Sequence, residues 1–250
     1  MVRLFGTIVL ATGLFVAVAP THAAPIVVSR GPSVVIRIDA GRTTIGALDD
    51  ALGTDVVDEL SDLPGTYLIA SRSGVDAAEV AAAAEAESGV LWAEPDGATD
   101  VPEVQADRIY RWSVSDPVAA DAQYAGALLD LPAAHAMSQG VGAVVAVVDS
   151  GIELLPAQHP DLAASTSSLG IDVVDGDAQP DDAADGIDND GNGLIDEGAG
   201  HGTHVAGIVH RVAPLATILP VRVLDSDGGG TEWDVARGML WAAEHGADVV

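Results

Sequence analysis

The feature that most restricts the fold of this chain is a short β-branched run that ends in a carboxylate. Residues 144–148 read Val-Val-Ala-Val-Val, and Asp149 follows at once, before a serine and a glycine. A continuous apolar run bounded by a turn signal predicts a parallel strand buried on both faces, and residues 218–223 and 247–250 predict two more. Ligand sites in open α/β sheets lie at the carboxyl ends of the strands. The sequence therefore predicts an α/β fold with Asp149 at a functional edge of the sheet.

A glycine-flanked histidine begins the next informative segment. Residues 200–204 read Gly-His-Gly-Thr-His and open an apolar helical stretch. Glycine has no Cβ, so the backbone beside His201 can be approached closely by a partner or substrate. The positive end of a helix dipole disfavours an imidazolium, and a neutral imidazole can act as a general base. Asp149 and His201 are therefore predicted to form a catalytic pair.

These two segments resemble a known family. Residues 146–151 and 200–207 are similar, in this order, to the Asp and His blocks of the subtilisin-like serine proteases, the subtilases. The likeness extends to flanking segments at residues 159–162, 212–214, 221–224 and 228–231, so it covers about residues 116–250. It implies an α/β parallel-sheet catalytic domain that cleaves polypeptide substrates with an Asp–His–Ser triad.

The resemblance also assigns roles within that triad. Asp149 would orient His201, and His201 would take the proton of a serine nucleophile. The Gly-Thr-Ser-Met-Ala-type segment that carries this serine in the family is absent from the 250 residues. We therefore expect the serine, the oxyanion-hole asparagine and the main specificity pocket to lie beyond Val250. Residues 106–250 are then the N-terminal part of the peptidase domain. The 250-residue chain itself is expected to be proteolytically inactive. Ser150 lacks the context of a nucleophile turn and is assigned no catalytic role.

The segment before residue 106 predicts a smaller domain with the order β-α-β-β-α-β, which is typical of a ferredoxin-like α+β unit. The strands and helices that carry this pattern are expected at residues 33–39, 43–52, 55–60, 66–71, 77–87 and 90–94. By resemblance, residues 24–105 are a propeptide that inhibits its own protease by laying a tail, residues 94–103, in the active-site cleft. An unrelated small α/β domain is the alternative. A helix is also expected over residues 126–137, in the lead-in to the protease domain.

The N-terminus has the form of a secretory signal. Arg3 precedes an uncharged apolar run, and small residues lead to Ala23. This pattern predicts a signal peptide over residues 1–23, secretion, and no stable membrane anchor after cleavage. An uncleaved membrane anchor is the alternative, although the run is short for a span of about 20 residues.

Charge and cysteine content exclude several function classes. The net charge is −28, and all ten basic residues are arginines. Such a chain repels nucleic acid and anionic membrane surfaces, so no nucleic-acid partner is expected. The chain contains no cysteine, which excludes disulfides, a thiolate nucleophile and cysteine-ligated zinc.

An acidic stretch separates the Asp and His blocks. Its spacing of side-chain oxygens follows the start of a calcium loop, with a glycine at 193 for the sharp bend. The predicted calcium ligands are Asp188, Asp190, Asn192 and Asp196. A solvated acidic surface loop is the alternative.

One further segment is expected to bind substrate. Gly228, Gly229 and Gly230 resemble the edge to which subtilases bind substrate as an added strand, and glycine leaves the backbone accessible for such pairing. Two other functions remain open at the level of sequence. One is a metal-dependent hydrolase that uses Asp149, His201 and His204; the other is a non-enzymatic inhibitor or calcium-binding module.

Overall fold

The computed structural model describes residues 32–101, 124–154 and 160–250. The predicted signal peptide and the expected boundary near residue 105 lie outside these residues. Within them, every helix is too short or too polar to cross a bilayer.

The first unit is a four-stranded antiparallel sheet in the order β2-β3-β1-β4, with two helices. Its elements are β1 (Ser33–Ile38), α1 (Ile45–Leu52), β2 (Thr54–Glu59), β3 (Thr66–Ser71), α2 (Ala77–Glu85) and β4 (Val90–Pro95). This order and composition are those of the predicted ferredoxin-like unit. A short strand, β5 (Ala98–Asp100), follows it.

Side-chain caps and apolar periodicity explain why these helices form where they do. The side chains of Thr44 and Asp76 accept hydrogen bonds from backbone N–H groups of the first turns of α1 and α2, at 3.3 and 2.9 Å. Gly53, at a φ of 68°, ends α1 in the left-handed conformation that glycine adopts readily. Alternate residues of β1, such as Ile36, pack against apolar residues of both helices, such as Leu48.

The second unit is a three-stranded parallel sheet in the order β6-β8-β7. The elements of this unit are α3 (Tyr124–Leu128), α4 (Leu131–Met137), β6 (Val144–Asp149), β7 (Ile171–Asp172), α5 (His201–Val212), β8 (Thr217–Arg222), β9 (Gly229–Thr231) and α6 (Glu232–Glu244). Each face of the sheet is covered by one long helix. Val147 packs in a cluster with Ala206 of α5, and its neighbour Ala146 packs in a separate cluster with Ala242 of α6. Successive strand residues point to opposite faces, so the apolar run of β6 fills both clusters.

One expectation about this unit is wrong, and a second is confirmed only in part. The helix expected over residues 126–137 is divided into α3 and α4, because Asp130 adopts a φ of 51° and Pro132 begins a new helix in its first turn, where its missing N–H costs nothing. The strand expected over residues 247–250 is present as a parallel bridge between Val249 and Val145, but it is not buried, since Val249 is 54% exposed.

The two units are joined by a tryptophan. Trp233 of α6 is 3% exposed and packs against Leu60 and Leu68 of the first unit. Its ring N–H donates to Asp58 at 3.0 Å, and its backbone N–H donates to Asp96 at 3.0 Å. The start of α6 is thus held by the first unit through both apolar and polar contacts.

Candidate active site

The predicted pair meets where a strand ends and a helix begins. Asp149 is the last residue of β6, and His201 is the first residue of α5. The Nδ1 atom of His201 lies 2.7 Å from Oδ1 of Asp149, and both side chains are largely buried. An ionised carboxylate can only accept, so Nδ1–H donates to Asp149 and the lone pair of the ring is on Nε2. This is the tautomer in which the histidine can take a proton from a nucleophile.

The glycines beside His201 serve a close approach within the chain. A Cβ on Gly202 would overlap the carbonyl oxygen of Gly151, the residue that turns the chain after β6. Gly151 itself has a φ of 106°. The expectation that this space admits a partner or substrate is therefore wrong for Gly202, because the space is filled by the strand-end turn.

Asp182 is a buried carboxylate next to this pair, and the sequence analysis did not predict a role for it. Asp182 accepts hydrogen bonds from the backbone N–H of Gly200 and of Thr203, at 2.8 and 3.0 Å. The hydroxyls of Thr203 and Ser150 donate to it at 2.6 and 3.0 Å. Burial raises the pKa of Asp182, and these hydrogen bonds to its ionised form oppose part of that rise. Asp182 belongs to an acidic stretch, and nothing in its local pattern distinguishes it from its exposed neighbours.

The glycines predicted to bind substrate are already paired with a strand of this chain. Strand β9 pairs antiparallel with β5, with Ala98 opposite Thr231, Thr99 opposite Gly230 and Asp100 opposite Gly229. The backbone N–H of Val101 continues the pairing by donating to the carbonyl of Gly228 at 3.1 Å. The tail of the first unit therefore occupies the edge where an added substrate strand is expected.

The acidic loop rests on the turn that leads into this edge. Asp227 accepts a hydrogen bond from the backbone N–H of Asp196 at 2.6 Å and another from that of Asn189. The N–H of Gly198 donates to the carbonyl of Ser226 at 2.9 Å. The loop and the turn before β9 are thus one hydrogen-bonded assembly.

Two of the four predicted calcium ligands converge, and a third carboxylate joins them. Among the described residues, the one cluster of three His, Cys, Asp or Glu side chains with ligand atoms within 4.8 Å of one another is Asp188, Asp190 and Asp227. The Nδ2 atom of Asn192 donates to Asp190 at 2.7 Å, and Asp196 accepts from the N–H of Asp185 at 2.8 Å. In the structure Asn192 and Asp196 therefore form bonds within the loop, and Asp227 comes from a segment that the loop pattern could not include.

The positions of the proposed zinc ligands do not support a metal-dependent hydrolase. In the described part of the chain, Asp149, His201 and His204 do not form such a three-ligand cluster. His201 instead directs Nδ1 to Asp149, as a proton-transfer pair requires.

The fold of this chain is similar to that of a solved relative of subtilisin. The crystal structure of fervidolysin from Fervidobacterium pennivorans, described as a keratinolytic enzyme related to subtilisin, superposes with a TM-score of 0.55. The two share 22% identity, and the likeness covers 86% of this chain and 34% of that one, so it establishes the fold.

Sequence comparison relates part of the chain to a family. Residues 140–250 match the Subtilase family, which confirms the predicted resemblance to the subtilisin-like serine proteases. Thermitase from Thermoactinomyces vulgaris is 37% identical over 149 residues, 56% of this chain and 47% of thermitase. The minor extracellular protease Vpr from Bacillus subtilis (strain 168) is 41% identical over 118 residues, 44% of this chain and 14% of Vpr. The chain thus spans about half the length of thermitase and a smaller part of Vpr.

Proposed function

We propose that this protein is the precursor of a secreted serine endopeptidase whose proton-transfer pair is Asp149 and His201. Residues 1–23 are its signal peptide, residues 24–105 its propeptide and residues 106–250 the first part of its catalytic domain. The observation that carries the proposal is the 2.7 Å contact between His201 Nδ1 and Asp149 Oδ1, at the carboxyl end of a central parallel strand. Secretion is supported by the N-terminal pattern and by the relative Vpr, which is described as extracellular.

The mechanism follows from the tautomer that Asp149 fixes. The Nε2 atom of His201 takes the proton of a serine hydroxyl as the oxygen attacks a peptide carbonyl carbon, and the resulting imidazolium is stabilised by Asp149. His201 then returns the proton to the leaving amine, and water releases the acyl group by the same steps in reverse. The serine of this proposal is carried by a Gly-Thr-Ser segment, which the 250 residues do not contain.

The first unit acts as an inhibitor of this site. Strand β5 adds to β9 by main-chain hydrogen bonds, which is the mode in which an extended peptide binds an exposed strand edge. Residues 98–100 therefore exclude a polypeptide substrate for as long as they stay paired. Removal of the propeptide would open the same edge, with Gly228, Gly229 and Gly230, to substrate.

The chemical class of the activity is tested with the gene product that carries these residues together with a Gly-Thr-Ser segment. After propeptide removal it is expected to hydrolyse peptide bonds and to react covalently with a serine-directed fluorophosphonate. A strong zinc chelator, added with calcium in excess, should leave both unchanged. Proteolysis that is abolished by the chelator, with no fluorophosphonate labelling, would replace this proposal by a metal-dependent one.

A structural calcium ion is the second part of the proposal. Asp188, Asp190 and Asp227 offer three carboxylate oxygens within 4.8 Å of one another, and calcium takes hard oxygen ligands of this kind. When bound, the ion would offset their mutual repulsion and hold the acidic loop on the turn that precedes β9.

Calcium binding should be visible in the melting temperature. A ligand of the native state alone adds about 2.7 kcal/mol of stability at a hundredfold excess over its Kd. We expect melting to rise with calcium and fall with chelator, and Asp190→Ala to abolish that difference. Asp50→Asn, a change to an exposed carboxylate on α1, is the control and should retain it. An identical melting temperature across the titration would return the loop to a solvated acidic surface.

A further inference from the structure

We propose that Asp182 is a positioning residue, which clamps the first turn of α5 to the strand-end turn and so holds His201 opposite Asp149. Its effect on catalysis rests on the proposed function, whereas its effect on the geometry of the histidine does not.

Both oxygens of Asp182 are fully engaged, and they bind two different segments. Oδ1 accepts from Gly200 N–H at 2.8 Å and from the hydroxyl of Ser150 at 3.0 Å. Oδ2 accepts from the N–H and the hydroxyl of Thr203, at 3.0 and 2.6 Å. One carboxylate therefore joins the start of α5 to the residue that follows Asp149.

Helix α5 has no cap of its own. Its N-cap residue is Gly200, which offers no side chain, and the N–H groups of a first helical turn have no partner within the helix. Asp182 supplies the missing acceptor from a different part of the chain, and its negative charge lies at the positive end of the helix dipole. The two residues that it binds, Gly200 and Thr203, lie on either side of His201.

The clamp continues to the catalytic carboxylate through Ser150. The hydroxyl of Ser150 donates to Asp182 and accepts from Gly202 N–H at 3.0 Å. The N–H of Ser150 donates to Oδ1 of Asp149 at 2.7 Å, the same oxygen that His201 contacts. Asp182 thus holds both Asp149 and His201 in their orientations, through the hydrogen bonds that it and Ser150 make.

Asp182 is itself rigidly held. Its N–H donates to the carbonyl of Ile152 at 3.1 Å, and the neighbouring Asp181 accepts from Leu154 N–H at 2.6 Å. The side chain is buried beside the turn at Gly151, whose close approach to Pro180 leaves no space for a Cβ. The carboxylate therefore has a fixed place from which to hold the helix.

Asparagine cannot reproduce this arrangement. An amide presents one acceptor oxygen and one N–H donor group, whereas each oxygen of Asp182 receives a backbone N–H as well as a hydroxyl. Asp182→Asn therefore leaves the N–H of either Gly200 or Thr203 facing another donor. The first turn of α5 should shift, and the contact between His201 and Asp149 should loosen.

The test is the Nδ1–H proton of His201 in the full 250-residue chain labelled with ¹⁵N-histidine, assigned by its loss in His201→Gln. A hydrogen bond of 2.7 Å to a carboxylate should place this proton far downfield and slow its exchange with water. In Asp182→Asn we expect an upfield shift and exchange faster by about tenfold or more, the loss expected for a bond to a charged group. Asp172→Asn is the matched control, because Asp172 is also buried and hydrogen-bonded but lies on β7, which β8 separates from β6 and Asp149.

A proton that keeps its shift and exchange rate in folded Asp182→Asn would overturn the proposal. If Asp182→Asn does not fold, Ser150→Ala removes the hydroxyl that joins Asp182 to the residue after Asp149 and to the N–H of Gly202, and it must still speed the exchange. An unchanged rate there is equally decisive. In the complete peptidase, Asp182→Asn should lower kcat by about 100-fold with KM unchanged, as a small misplacement of a catalytic group does. A protein without peptidase activity would defeat the proposed function and leave the proton measurement intact.

Discussion

Asp234, a buried carboxylate at the start of α6, should make the free energy of unfolding of this chain depend on pH. Asp234 is 5% exposed, and the Thr231 hydroxyl donates to it at 3.2 Å. Burial raises the pKa of Asp234 to about 6; the Thr231 bond and the charge of Arg237 oppose the rise, and the carboxylates of Asp96 and Asp58 add to it. These two carboxylates belong to the first unit, so the titration of Asp234 is linked to docking.

The sign follows from the direction of the shift. The pKa of Asp234 is 3.8 in the absence of structure and about 6 in the fold. A carboxyl with a raised pKa in the fold contributes stability that is fully present below pH 3.8 and is lost as the pH rises through about 6. The difference corresponds to about 3 kcal/mol. Burial raises the pKa of Asp96 as well, opposed by hydrogen bonds from Trp233, Ser33 and Thr231, so its contribution has the same sign.

The perturbation is Asp234→Asn, which removes the titration and keeps the size of the side chain. Denaturant unfolding of the full chain is measured at pH 4 and pH 8 for the wild type and the variant. Between these values the wild type should lose about 2.4 kcal/mol more unfolding free energy than Asp234→Asn does, because part of the difference of about 3 kcal/mol is already lost at pH 4. Asp50→Asn, at an exposed position on α1, should follow the wild type. Equal pH dependence in the wild type and Asp234→Asn would refute the reasoning.

Three more substitutions test the packing around the site. Gly202→Ala places a methyl group against the carbonyl of Gly151, so urea unfolding should show a loss of about 1–3 kcal/mol. Trp233→Ala empties the apolar contact between the two units and should cost about 3–5 kcal/mol in the same assay, whereas an effect near zero would mean that the units are not held there. Gly230→Val builds a Cβ 2.6 Å from the carbonyl oxygen of Val223, so β9 should release β5 and residues 98–100 should be cleaved sooner in limited proteolysis. Unchanged cleavage kinetics would contradict the strand pairing.

The strands and helices that are determined by neighbouring residues could be predicted from the sequence. The β-branched run before Asp149 defines a buried strand, and the glycine-flanked His201 defines the start of a helix, so their meeting at the carboxyl edge follows from the rules of parallel sheets. The ferredoxin-like order of the first unit was predictable for the same reason.

The features that the sequence did not predict depend mainly on contacts between residues that are far apart in the chain. Asp182 binds the helix start 18 residues away, and Asp227 joins the acidic loop 31 residues beyond Asp196, so no window of sequence contains either arrangement. The break at Asp130 is a backbone conformation that few non-glycine residues adopt, although Pro132, two residues later, is a sequence signal for the start of a new helix.

The most direct test of the central claim is the turnover of the complete, propeptide-free protein with His201→Ala. His245→Ala is the control, because His245 lies exposed at the end of α6, stacked on Trp241. If His201 is the base that Asp149 orients, His201→Ala should lower kcat by about 10⁶-fold, the scale measured for the histidine of a subtilisin triad, and His245→Ala should leave it unchanged. Retention of wild-type kcat by His201→Ala would contradict the account at its centre.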